Sequence, residues 1–199
     1  MYQLSGIYQR HGQKLRPTND RQVLILLYKL NKFKGAGLDK ISSRLIRYCA
    51  GVISPYLTII FNRSLVTGIF PDDWKAAKVT PLFKKCEGGD TNNYRPISVI
   101  SVVANVFERI VYNLLSNYLP EHNILSKHQY GFRSFHSTVK ALLQTTTYSW
   151  ANSIDHGNVN AVVFLDLKKG FDTIVHHILL SKLHLYGING NAHRWLSSH

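Results

Sequence analysis

The sequence predicts an α+β chain, helix-rich in its N-terminal part. Three observations point there: a helical repeat of apolar residues from Val103 to Tyr118, a pair of short extended segments around a turn-rich stretch just before it, and a nearly continuous apolar run from Val159 to Leu167, short enough for a buried strand. With 199 residues, 45% of them hydrophobic, the chain has the material for a real core.

Residues 1–16 lack hydrophobic periodicity and read as a loose leader. Thr18, Asn19 and Asp20 can cap a helix through Val23, Leu26, Leu27 and Leu30, which Gly35-Ala36-Gly37 breaks. A short amphipathic stretch follows around Ile41, Leu45 and Ile46. Ser54-Pro55 reads as a helix start, with serine as cap and proline in the first helical position, for a helix that buries Leu57, Ile60, Phe61 and Leu65 and stops at Gly68. Ala76 to Phe83 and Tyr94 to Ile100 form a basic hairpin around the Gly, Asp and Asn residues of 84–93. Ser101 caps the clearest helix, with Val103, Val106, Phe107, Ile110, Val111, Leu114, Leu115 and Tyr118 on one face, ending before Pro120. Leu125 to Phe135 is irregular, Ser137 caps a helix through Val139, Leu142, Leu143, Trp150 and Ile154 to Gly157, and a last helix carries Ile178, Leu179, Leu180 and Leu183 to Gly187.

Composition excludes several classes. Cys49 and Cys86 stand 37 positions apart with no CxxC pairing, so neither a disulfide scaffold nor a zinc ribbon can be built. The apolar runs fall far short of the ~18 residues of a bilayer helix and residues 1–17 hold no signal-like segment. The expectation is an intracellular protein, of nucleus or cytoplasm, with no membrane partner. Charge is strongly positive, 24 Lys and Arg against 11 Asp and Glu, and uneven: net +10 over residues 1–100 and +3 over 101–199. The first half is where a polyanion would bind, by releasing counterions from its phosphates.

Asp166 is the residue that composition does not explain. It lies within Ala161-Val162-Val163-Phe164-Leu165-Asp166-Leu167, where burying an unpaired carboxylate would cost several kcal/mol. A structural partner, a raised pKa or a divalent metal would each stabilise it. The strand would end in this carboxylate, turn through Lys168-Lys169-Gly170 and present Phe171 and Asp172 on the way into a helix, which suits phosphoryl transfer. Magnesium is commonly held by one or two carboxylates and substrate phosphates, and two ions ~3.5–4 Å apart can stabilise attacking and leaving oxygens together.

Phe164-Leu165-Asp166-Leu167-Lys168-Lys169-Gly170-Phe171-Asp172-Thr173 resembles the first catalytic palm motif of non-LTR, LINE-like (jockey/CR1-type) retrotransposon reverse transcriptases, an FLDxxKAFD pattern. Upstream, Phe70-Pro71-Asp72-Asp73-Trp74, Val79-Thr80-Pro81-Leu82-Phe83-Lys84-Lys85, Asn93-Tyr94-Arg95-Pro96-Ile97-Ser98 and Gln129-Tyr130-Gly131-Phe132-Arg133 resemble, in order, its finger and finger-palm motifs, and Gly37-Leu38-Asp39-Lys40-Ile41 resembles its GPDGI segment more weakly. The resemblance implies a partial right-hand polymerase, with a leader and helix over 1–32 and the fingers and first palm motif over 33–199. The implied activity is RNA-directed DNA polymerisation on an RNA template and DNA primer, with dNTPs and Mg²⁺.

Carried over residue by residue, the resemblance makes Asp166 the catalytic metal ligand, with the Leu167 carbonyl beside it. Phe171 would be the aromatic that excludes the ribose 2′-hydroxyl of an incoming nucleotide; a core aromatic is the plain alternative. Lys84, Lys85 and Arg95 would meet the nucleotide triphosphate, where the alternative is solvated charge, and Gln129, Gly131, Phe132 and Arg133 would lie along the template. Asp172 would orient the corner or cap a helix. Gly170 stands where the family usually has alanine and Val175 where it often has aspartate. The family's second catalytic element, an aromatic-any-Asp-Asp hairpin, lies downstream of the first, and residues 1–199 do not include it. The expectation is therefore a truncated, inactive polymerase fragment, with a non-catalytic nucleic-acid-binding remnant or an inert pseudogene product as alternatives. Phe70-Pro71-Asp72-Asp73 imitates that hairpin, but it precedes the first motif and reads as an exposed turn.

Overall fold

The computed structural model describes residues 15–84, 93–167 and 170–199. The described residues are helix-rich with one two-stranded antiparallel sheet, in keeping with an α+β chain. They divide into two units, one of residues up to Tyr118 together with His176–His199, the other Leu119–Val175. Among the described residues no helix is long and apolar enough to cross a membrane.

In the first unit, helix α1 (Asp20–Tyr28) starts as its capping residues dictate: the Asn19 side chain accepts the Gln22 N–H at 2.9 Å, and Asp20 places negative charge in the first turn. One residue earlier, the Thr18 N–H donates to Asn62 Oδ1 at 2.8 Å while Asn62 Nδ2 donates back to the Thr18 carbonyl at 3.0 Å. This two-way clamp fixes the entry of α1 against α3 (Ala50–Thr67). Between them lies α2 (Ser43–Tyr48), capped by Ser42. Gly37 is needed where it stands, since a Cβ there would lie 2.7 Å from the Ser101 nitrogen, closer than atoms can approach.

Helix α3 departs from its expected start. It begins at Ala50, so Ser54 is a buried interior residue and Pro55 sits inside the helix. The bond lost to Pro55 is the one to the Gly51 carbonyl, and Gly51 is exposed, with no side chain to crowd the ring and water free to solvate its carbonyl. The buried stripe is correspondingly small-residued, Ala50, Ser54, Thr58, Phe61, Ser64 and Leu65, while Ile60 is 44% exposed instead of buried. Gly68 closes the helix in the left-handed region at φ 69°, and its missing side chain admits Arg194 and Asn191.

Strands β1 (Lys78–Phe83) and β2 (Tyr94–Val99) pair in the register Lys78↔Val99 to Phe83↔Tyr94. This sets Pro81 opposite Pro96. The Lys84 N–H bonds the Asn93 carbonyl at 2.7 Å, which makes the Pro81–Pro96 pair one of the non-hydrogen-bonded positions. Neither proline therefore removes a bond from the ladder. Each instead blocks an outer edge of the ribbon.

Helix α4 (Val102–Glu121) is capped by Ser101 Oγ, which accepts the Ala104 N–H at 3.1 Å, and it runs one residue past Pro120 instead of ending before it. Pro120 removes the one bond that an N–H there would have made to the Ser116 carbonyl. Phe107 of α4 stacks on Phe61 of α3 at 4.5 Å, and Trp195 meets Phe107 and Phe70 edge-on, each at 5.2 Å. In Phe70-Pro71-Asp72-Asp73-Trp74 only the two acids form the expected exposed turn, Asp72 pairing with Lys75 in solvent, while Phe70, only 1% exposed, is buried in the core. Helix α7 (His176–Leu185) ends before Gly187, as expected. Helix α8 (Gly190–Ser198) is additional, and is held by Trp195 Nε1 donating to Ser64 Oγ at 3.0 Å.

In the second unit, residues 122–137 are irregular and Ser137 caps α5 (Thr138–Leu143). The helix continues through wider π-helical turns, Gln144–Ala151, into α6 (Asn152–Asp155), and Gly157 at φ 72° ends it. The hydroxyls of Thr145 and Thr146 bond the carbonyls of Ala141 and Leu142, each at 2.9 Å, and so compete for acceptors in the widened region. The expected buried strand over 159–167 does not form. Those residues have no strand partner among the described residues, and Val163, Phe164 and Leu165 are each more than 80% exposed. A strand requires a neighbour for its backbone donors and acceptors, and an apolar run buries itself only where another layer covers it.

Candidate nucleotide and nucleic-acid site

The candidate residues fall in both units, Lys84 and Arg95 in the first, Gln129, Gly131, Phe132, Arg133, Asp166, Leu167 and Phe171 in the second. Lys85 lies outside the described residues, as do Lys168 and Lys169.

On the ribbon, register decides which charges act together. Directly opposed residues share a face, and faces alternate along each strand. Lys84 pairs with Asn93 and Leu82 with Arg95, so Lys84, Arg95 and Lys78 all belong to the same face, together with Thr80 and Ile97. Arg95 is exposed and makes no ion pair with any described residue. The opposite face carries Val79, Pro81, Pro96 and the Phe83–Tyr94 ring pair, 5.4 Å apart. One face of the ribbon thus gathers its cations, among Leu82, Ile97 and Val99, and the other is apolar-aromatic. Lys78 was missed from the sequence, although its even spacing from Lys84 within a strand placed it there.

In the second unit, Gln129 to Arg133 is a self-supported loop. Arg133 Nη1 donates to the Ser126 carbonyl at 3.0 Å, Gln129 Nε2 donates to the Gly131 carbonyl at 3.2 Å, and the Gln129 N–H returns to Ser126 at 3.1 Å. Phe132 and Phe135 take left-handed backbone angles, φ 57° and 61°, which turns both rings out into solvent at 90% and 91% exposure. Lys140 Nζ holds the Phe135 carbonyl at 2.6 Å. Open space faces Gly131, where a Cβ would meet nothing within 4 Å.

Phe132 also brings two motifs together. Its ring meets that of Phe171 edge to face, 5.9 Å between centroids with planes at 85°. Asp166 is exposed and accepts no hydrogen bond and makes no ion pair among the described residues, so the expectation of a carboxylate buried among aliphatic side chains is corrected. What the described residues offer a divalent cation is the Asp166 carboxylate and the adjacent Leu167 carbonyl, both oxygen donors. That fits part of a magnesium shell, which takes few protein ligands and completes itself with phosphates and water. The described residues bring no three His, Cys, Asp or Glu side chains together.

The family model described as reverse transcriptase (RNA-dependent DNA polymerase) matches residues 83–199. The chain is similar to the probable RNA-directed DNA polymerase from transposon BS of Drosophila melanogaster, 30% identical over 170 residues that make up 85% of this chain and 19% of that protein. It is also similar to the RNA-directed DNA polymerase from mobile element jockey of the same species, 30% identical over 162 residues, 81% of this chain and 18% of the relative. The probable RNA-directed DNA polymerase from transposon X-element, again of Drosophila melanogaster, is 25% identical over 163 residues, with the same coverage of 81% and 18%. The chain spans about a fifth of the length of these curated relatives. The match takes in the ribbon from Phe83, the loop around Phe132 and the segment around Asp166, and by it the chain belongs to the reverse transcriptase family, in the branch of the non-LTR retrotransposons.

Proposed function

We propose that this chain is the fingers and first part of the palm of an RNA-directed DNA polymerase, with residues 33–199 as the partial polymerase domain and 1–32 as its leader and first helix. The observation that carries the reading is the contact between Phe132 and Phe171, which joins the loop assigned to the template with the corner assigned to the nucleotide. The cationic ribbon face supports it.

In this reading Asp166 and the Leu167 carbonyl hold Mg²⁺, which when bound neutralises phosphate charge and activates the primer 3′-hydroxyl. The chain's own residues position the reactants. Arg95 grips the triphosphate with a planar fork of donors, and Lys84 and Lys85 add point charges. Phe171 sets a wall against a 2′-hydroxyl, a repulsive element that rejects ribonucleotides. Phe132 and Arg133 meet the template by stacking and by phosphate contact, and Gln129 and Gly131 shape the loop for close approach of the strand. Residues 1–199 alone carry the first catalytic carboxylate motif and not the Asp-Asp hairpin, so we expect them to bind the reactants and not to extend a primer.

The test is the affinity of the 199-residue chain for a DNA primer on an RNA template, read by fluorescence anisotropy with Mg²⁺ and the next complementary dNTP. The dNTP should tighten binding severalfold, and Arg95→Ala or Asp166→Ala should abolish the gain. Binding indifferent to dNTP in the unaltered chain would contradict the reading. Dependence on Arg95 but not on Asp166 would favour a non-catalytic nucleic-acid-binding remnant.

A further inference from the structure

Helix α3 is apolar on both of its sides. The inner stripe meets the core mainly through small residues, with Phe61 and Leu65, whereas other large side chains point outward: Val52, Tyr56, Ile59 and Val66 are 58–73% exposed. A helix that is apolar all round is ordinarily enclosed by neighbouring structure, and a contiguous exposed apolar patch marks an interaction surface.

The outward residues are ordered. Val52, Tyr56, Ile59, Arg63 and Val66 follow one another at intervals of four, three, four and three residues, the alternation that keeps one seam of a helix turned toward a second helix. At 1.5 Å per residue the seam is ~21 Å long. Pro55 and Ile60, both exposed, border it without charge. Arg63 is the one charged residue of α3; it is exposed and makes no ion pair with any described residue. Covering the seam would take its guanidinium out of water, which is tolerated only with a carboxylate set against it.

Spacing therefore selects a helix as the occupant, and charge selects its composition. A second copy of this chain would bring another net charge of +13 and, from residues 40–71, four cations and no carboxylate. We propose that the outer face of α3 is a docking site for an amphipathic helix of another protein, one with apolar residues at the same three-and-four spacing and a Glu or Asp opposite Arg63. Tyr56 and Ile59 supply the central apolar contact, and Arg63 fixes the register, as a single polar seam position does in paired helices. The inference goes beyond the polymerase reading and does not depend on it, and its residues precede the matched region 83–199.

The test is an anisotropy titration of the 199-residue chain against a fluorescein-labelled helical peptide of about four heptads, of zero net charge, with leucines on its seam and a single central seam Glu. Saturable binding is expected. Ile59→Asp should abolish it, with Tyr56→Asp repeating the test one turn away, and Arg63→Glu should weaken it roughly 30-fold or more, the loss for one broken buried charge pair. A second peptide with Arg in place of that Glu should reverse the preference, binding Arg63→Glu and not the unaltered chain. Unchanged melting temperatures show that the variants fold. The proposal is overturned if neither peptide binds, if Ile59→Asp and Tyr56→Asp bind normally, or if exchanging the charges does not reverse the preference. It is overturned equally if sedimentation velocity shows the unaltered chain dimeric and Ile59→Asp monomeric, which would make a second copy the occupant.

Discussion

Phe132 and Phe171, 39 residues apart in sequence, meet edge to face at 5.9 Å although both are mostly solvent-exposed, at 90% and 73%. Aromatic rings left largely in water by the folded chain and set edge to face are placed for a ligand instead of a core. The pair should act as a unit: Phe132→Ala and Phe171→Ala should each reduce the dNTP-dependent gain in primer–template affinity, and the double variant should lose less than the sum. A coupling of about 0.5–1.5 kcal/mol is expected from such a contact, and anisotropy titrations on the four proteins measure it.

A second contact governs stability. The Tyr118 hydroxyl donates to the Tyr186 carbonyl at 2.9 Å, and a Cβ on Gly187, whose φ is 84°, would fall 2.6 Å from that hydroxyl. Gly187→Ala therefore combines backbone strain with a clash and should cost about 2–3 kcal/mol in urea unfolding, and Tyr118→Phe should recover part of it in the double variant. Burial raises the Tyr118 pKa above its ordinary value of 10.0. The folded state then holds the proton more tightly than the unfolded state, so this contribution is fully present below pH 10 and is lost as pH rises through the folded pKa. Stability should fall more steeply above pH 10 in the unaltered chain than in Tyr118→Phe.

Lys40 stands at φ 57°, in the position that the GPDGI pattern fills with its second glycine. The turn is real, with the Lys40 N–H on the Gly37 carbonyl at 3.2 Å and Asp39 bonding Ile41. A side chain there costs about 1 kcal/mol relative to glycine. Lys40→Gly should raise the melting temperature by a few degrees, and calorimetry would show it.

The run Val159 to Leu167 leaves aliphatic and aromatic side chains in solvent with no strand beside them among the described residues. Exposed strand-prone segments of this kind associate. Val163→Lys with Leu165→Lys should shift the 199-residue chain toward monomer in sedimentation velocity at matched concentration, without lowering its melting temperature.

Local signals carried most of the fold. Asn19, Ser101 and Ser137 cap where their side chains can reach a free N–H, Gly68 and Gly187 end helices at positive φ, and the two extended segments pair as expected, while most of the turn residues expected between them, 85–92, lie outside the described residues. What local signals could not reveal was set by neighbours. Pro55 reads as a start because proline is favoured there, yet α3 follows α2 after the single residue Cys49 and begins at Ala50, and the carbonyl that Pro55 leaves without a partner belongs to the exposed Gly51. Helix α8 owes its place to Trp195 seated among Phe70, Phe107 and Ser64. The apolar segment at Asp166 reads as a buried strand in any sequence, but burial requires a covering layer that the described residues do not supply. Of the site, the motif residues were legible one by one. Their juxtaposition, Phe132 against Phe171 and Arg95 on the same ribbon face as Lys84, came only from the fold.

The central claim is that Asp166 holds a divalent cation beside the nucleotide, and iron-mediated cleavage of the polypeptide tests it most directly. Fe²⁺ replaces Mg²⁺ in the presence of primer, template and dNTP, ascorbate generates short-lived radicals at the ion, and mass spectrometry locates the cut. Scission confined to the neighbourhood of residue 166, dependent on the dNTP and abolished by Asp166→Ala, is the predicted result. No cut there, or the same cut in Asp166→Ala, would contradict the account.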